Sequence, residues 1–166
     1  TPNVGLTATN TLNLTAVNGE LAINKVGSVV TVVVAHGGGP SSFGRVQVSV
    51  DGGVTFPTVM TGGDGFCGGQ CFYDIAVAID PSNASRIYIG GSASGASKIF
   101  GRSTNGTSFA ASENGLHADS HAIAVAPSNP AIVYTGNDGG IFKSTDFGVT
   151  WTSLNVSGFN ATQFMS

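Results

Sequence analysis

The chain has 166 residues, 41% of them hydrophobic, which is one-domain length with enough apolar material for a core. Charged residues make up only 9%, against about 25% in an ordinary soluble domain, so Ser, Thr, Asn and Gly must cover most of the surface. Six Lys plus Arg against nine Asp plus Glu, with no basic run, argue against nucleic acid as a partner, and the longest apolar run, Val29 to Ala35, falls far short of the roughly 20 residues that span a bilayer.

In chain order, residues 1–25 read as an N-terminal strand segment, followed by a unit at 26–62 that runs from VVTVVVAHG into GRVQVSVDGGVTF. His36 stands in the glycine loop AHGGGPSSFG, which is no phosphate cradle because neither GK[ST] nor a helix pattern follows it. The next unit, 63–116, opens with CGGQC, where Cys67 and Cys71 suit a short disulfide. Half of a metal site is the alternative, but it needs two more soft ligands, and CxxxC matches neither zinc ribbons nor redox motifs. A disulfide implies an oxidising compartment. The sequons at Asn13, Asn83, Asn105, Asn155 and Asn160 carry little weight in a chain so rich in Asn, Ser and Thr.

A repeat organises the rest of the chain. AVAIDPSNASRIYIGG, residues 76–91, aligns without a gap on AIAVAPSNPAIVYTGN, residues 122–137, and each copy leads into an IF-plus-basic segment at Ile99 and Ile141. The unit at 117–157 is thus a rewriting of the one before, and GFNATQFMS at 158–166 reads as the start of a further one. Short runs rich in Val, Ile and Tyr, bounded by Pro-Ser-Asn or Gly clusters, predict strands, and DPSN and APSN predict hairpin turns. The expected fold is all-β: four-stranded antiparallel meanders, about three of them, at a repeat of roughly 40–55 residues, the range of propeller blades.

SVDGGVTF (49–56) and STDFGVTW (144–151) resemble the Asp-box, S-x-D-x-G-x-T-W/F, of sialidase-like, xyloglucanase-like and sortilin-like β-propellers, and STNGTSF (103–109) is similar, with Asn for Asp and one residue fewer. The resemblance implies that Asp51, Asn105 and Asp146 hold outer turns, and that Trp151 packs between sheets. It also implies a ring that this chain leaves incomplete, the remaining blades coming from a longer parent chain or from other copies.

Asp138, in GNDGGIF, lies outside the boxes, and the equivalent segment GGSAS has no acid, so the repeat does not demand it. GNDGGIF is similar to the T-D-x-G-G-x-Y segment that carries a catalytic aspartate in xyloglucanase-type propellers, with one residue missing. In HADSH, strict alternation places His117, Asp119 and His121 on one face of an extended strand, a partial ligand set for a divalent metal ion or an acid/base cluster. A polar strand entry with His121 capping a turn is the structural alternative. Tyr73 and Asp74 hold the matching strand entry one unit earlier and are secondary binding candidates. These residues point first to a secreted or cell-surface module that binds carbohydrate or protein at the channel mouth. A glycoside hydrolase with Asp138 as one of two carboxylates is the alternative, and a subunit of an extracellular layer or filament is the third.

Overall fold

A computed structural model describes residues 18–37, 44–92 and 99–155; positions 1–17 of the expected strand segment 1–25 and the expected blade start at 158–166 lie outside the described residues. The strands form three four-stranded antiparallel sheets. The first contains β1 (Asn18–Val26), β2 (Val29–Gly37), β3 (Arg45–Ser49) and β4 (Thr58–Val59), and the second β5 (Ala76–Asp80), β6 (Asn83–Gly90), β7 (Phe100–Ser103) and β8 (Ala110–Ala111). The third contains β9 (Ser120–Val125), β10 (Val133–Asn137), β11 (Gly140–Ser144) and β12 (Thr152–Ser153). In each sheet the strands lie side by side in chain order.

The first sheet begins at Asn18, inside the stretch 1–25 that the sequence sets apart from the first unit. The cause is local. Gly27, at φ 59°, allows a two-residue hairpin turn, and Val26 then pairs with Val29 and the whole of NGELAINKV with VVTVVVAHG.

Two hydrophobic cores lie between the sheets. Val33, Ala35, Val46 and Val48 of the first sheet meet Ile79, Ile87 and Ile89 of the second, with Ile75 just before β5. Ala78, Tyr88 and Phe100 of the second meet Val133, Ile123 and Val125 of the third. Truncating a fully buried isoleucine such as Ile87 to Ala would cost about 2–5 kcal/mol, lost transfer energy and cavity together. β1 touches β5 and β5 touches β9, so the leading strands of the three sheets run side by side.

Antiparallel order gives the assembly two ends. The turns after β3, β7 and β11 lie at one end, whereas the starts of β5 and β9 and the ends of β2, β6 and β10 lie at the other. At the first end the three serine turns repeat one geometry. The Ser49 hydroxyl donates to Asp51 Oδ1 at 2.6 Å and accepts from Gly53 N at 2.9 Å, while Thr55 donates its amide and hydroxyl to the Asp51 carboxylate at 2.9 and 2.6 Å. Ser144, Asp146, Gly148 and Thr150 reproduce this, with Val149 N adding a bond at 3.1 Å. The shortened copy closes as well: Asn105 Oδ1 accepts from the Thr107 and Ser108 amides, both at 2.9 Å.

Trp151 then packs edge-on against Phe100 of β7, with centroids 4.8 Å apart, and donates Nε1–H to Ser112 O at 2.8 Å. Phe147 takes the left-handed turn position at φ 60°, and the Arg86 guanidinium stacks 4.0 Å from its ring centre. Arg86 also pairs with Asp80, so one side chain joins the second sheet to the turn of the third.

Candidate functional site

The other end carries the acids that the turns do not use. The segment between β4 and β5 starts the site. Cys67 and Cys71 form a disulfide across a single 3-10 turn, Gly68–Gln70. Glycines make room for it: a Cβ on Gly37 would lie 2.2 Å from Cys71 Cβ, and one on Gly91 would lie 2.1 Å from Phe66 O. The turn amides of Tyr73 and Asp74 both donate to Gln70 O at 2.8 Å, which fixes the chain as it enters β5.

Asp74 therefore arrives with its side chain 0% exposed. Its Oδ2 accepts from Gln70 Nε2 at 2.7 Å, while Oδ1 has no hydrogen-bond partner. Oδ1 instead faces His121 Nδ1 at 3.4 Å, an electrostatic contact whose geometry falls short of a hydrogen bond and leaves Nδ1 without a partner too. Burial first, and then the nearby Asp119 charge, push the Asp74 carboxyl up to about 6; His121, Gln70 and other neighbours act more weakly.

His121, at the start of β9, is the centre of the arrangement. Its imidazole is fully buried, Nε2 lies 2.8 Å from Asp138 Oδ1, and the Tyr73 ring meets it edge-on at 4.9 Å. With hydrogen on Nε2 the ring donates to Asp138. Asp138 is the member that reaches solvent, with its side chain 30% exposed.

Asp138 sits in the tight turn between β10 and β11. The buried Asn137 shapes that turn, donating Nδ2 to His117 O at 3.1 Å and accepting from Gly139 N at 2.9 Å. Asp138 N donates to Asp119 O at 3.3 Å, and Asp119 Oδ1 lies 3.4 Å from Gln70 Nε2.

The structure thus brings Tyr73, Asp74, Asp119, His121 and Asp138 together, on two sheets and the loops before them. It does not keep His117, Asp119 and His121 on one strand face. β9 begins only at Ser120, and Asp119 takes a left-handed φ of 62°, which breaks the alternation. The exposed His117 turns Nδ1 toward Ala118 O at 3.1 Å, while His121 faces inward. Among the described residues no three His, Cys, Asp or Glu side chains are placed to hold a metal ion, so the expected ligand set does not assemble. Cys67 and Cys71, being joined, supply no half-site either.

Gln70 and Asn137 escaped the sequence reasoning. Gln70 had a signal, being the one side chain with hydrogen-bonding groups between the two cysteines of CGGQC. Asn137 had a weaker one, replacing a glycine of the preceding repeat.

No family model matches the chain, and no curated protein does. Solved structures do. The GH74 enzyme from Niastella koreensis superposes with a TM-score of 0.62 at 22% identity, over 81% of this chain and 22% of that one. The GH74 xyloglucanase from Xanthomonas campestris gives a TM-score of 0.62 at 15% identity, over 87% of this chain and 24% of that one. The three sheets are blades of a partial β-propeller. The chain spans less than a quarter of the length of either enzyme. In propeller terms the candidate site lies where the leading strands of the second and third blades begin, and the serine turns lie at the opposite end.

Proposed function

We propose that this chain supplies one wall of a carbohydrate-cleaving cleft in a secreted glycoside hydrolase of Asp-box propeller type. The observation that carries the reading is the chain of groups Asp74, His121, Asp138: a partly exposed carboxylate bonded at 2.8 Å to a buried imidazole that a second, fully buried carboxyl backs. Such an arrangement holds Asp138 in one orientation, against groups out of reach of solvent. Asp138 is the catalytic carboxylate in this reading, and Asp74, Gln70 and His121 are positioning residues.

Glycoside hydrolysis needs a second carboxylate across the scissile bond, and that partner is assigned to blades outside the described residues. The similarity in fold to two GH74 enzymes, one of them a xyloglucanase, makes β-linked glucans the first substrates to try. The further blades also have places to dock. The outward face of the third blade carries a shallow apolar depression of ≈ 170 Å³ lined by Ala122, Ala124, Tyr134 and Ile141, and Leu21 and Ile23 of β1 are exposed on the first. The disulfide fits an exported protein.

The test is to incubate the chain, as part of a protein whose further blades complete the ring, with xyloglucan and cellulose oligosaccharides, following new reducing ends and, by calorimetry, binding. Cleavage that Asp138→Asn abolishes while binding persists supports the reading. Binding without cleavage by the unaltered protein leaves a carbohydrate-binding module, and neither binding nor cleavage overturns both.

A further inference from the structure

Among the described residues, two aromatic side chains are exposed, and they are neighbours: Phe72, 65% exposed, and Tyr73, 37% exposed. Both follow the disulfide directly, beside the acid cluster whose His121 ring Tyr73 touches. A large apolar ring left in water normally finds cover on folding, so an adjacent exposed pair on a fixed loop asks for an occupant.

The loop is fixed by more than its disulfide. Its cysteines sit against Gly37 and Gly44, its Phe66 backbone sits against Gly91, and Gln70 O holds the amides of Tyr73 and Asp74. Tyr73 touches the His121 ring, which in turn holds Asp138. The aromatic pair is therefore tied at one end to the solvent-reaching carboxylate.

We infer that Phe72 and Tyr73 form a stacking platform for the apolar face of a pyranose ring, a sugar-binding subsite beside Asp138. This rests on the carbohydrate reading of the site and adds its specificity element. An aromatic face set next to a carboxylate takes neutral sugars, whose axial C–H groups meet the ring while equatorial hydroxyls reach the polar groups. Rigidity matters here: a platform already ordered loses little conformational freedom when the sugar arrives.

Cellotetraose is the probe, titrated into the 166-residue chain with Kd read by calorimetry and by amide shifts. Phe72→Ala should weaken binding about tenfold, the effect of losing an aromatic anchor, whereas Phe72→Trp should bind at least as tightly and report the sugar by fluorescence. Because Phe72 is exposed, both variants should keep the circular dichroism of the parent. Unchanged affinity in Phe72→Ala, or no binding of cellotetraose by the unaltered chain, overturns the platform. The hydrolase reading fails separately: a platform that binds, together with a ring-complete protein whose turnover is absent or indifferent to Asp138→Asn, leaves the subsite standing and removes the enzyme.

Discussion

Aspartates stand at both ends of this molecule, and their surroundings are opposite. In the serine turns Asp51 is exposed and Asp146 partly so, yet their oxygens accept several short bonds from hydroxyls and amides. The Ser49 and Thr55 bonds hold Asp51 well below the usual carboxylate range, and the Thr150 hydroxyl and amide lead in holding Asp146 at about 2. At the other end, Asp74 is buried with one oxygen unbonded and its carboxyl is pushed up to about 6. An aspartate whose bonds are saturated fixes a turn, and changing its proton costs the turn. An aspartate buried beside another acid holds its proton up to about pH 6.

The sharpest way to break this contrast is to make the same change at both ends. In a protein whose further blades complete the ring, Asp138→Asn should lower oligosaccharide turnover about 100-fold or more, the usual weight of an acid/base group, while Asp146→Asn leaves turnover unchanged. Equal losses would mean that both act through folding.

Stability should respond in the reverse order. Trp151→Ala removes the ring packed on Phe100 and the bond to Ser112 O, and should cost about 3 kcal/mol in urea unfolding. Asp146→Ala should cost about 1 kcal/mol, since solvent screens its bonds, and Asp146→Asn less, because Asn105 already closes the equivalent turn without a charge.

The pH dependence separates the two ends by sign. Asp146 has a folded value below its ordinary 3.8, so its contribution is full above 3.8 and is lost as pH falls through about 2. Asp74 has a folded value above 3.8, so its contribution is full below 3.8 and is lost as pH rises through about 6. Asp74→Asn should therefore flatten the stability profile between pH 3.8 and about 6, the smallest of these effects.

The blades were legible in the sequence because each repeat states its strands, turns and box residues locally: Ser144, Asp146, Gly148 and Thr150 need only one another to close their turn. The disulfide was legible for the same reason. The site was less so. Its residues come from Gln70 to Asp138, and their meeting depends on how two blades pack. Alternation in HADSH was a sound rule for a strand, but the left-handed Asp119 takes two of the three residues out of the strand, and no local signal marks an aspartate for that conformation. The runs VVTVVVAHG and GRVQVSVDGGVTF carried the strand pattern of the first blade, yet its boundary turned on Gly27 alone.

The most direct measurement is a carboxyl-carbon NMR titration of the protein from pH 1.5 to 8, with Asp74 and Asp146 assigned by substitution to Asn. The expected result is two separated transitions, Asp146 near 2 and Asp74 near 6. Both aspartates titrating together near 3.8, or Asp74 below Asp146, would contradict the opposition between the two ends.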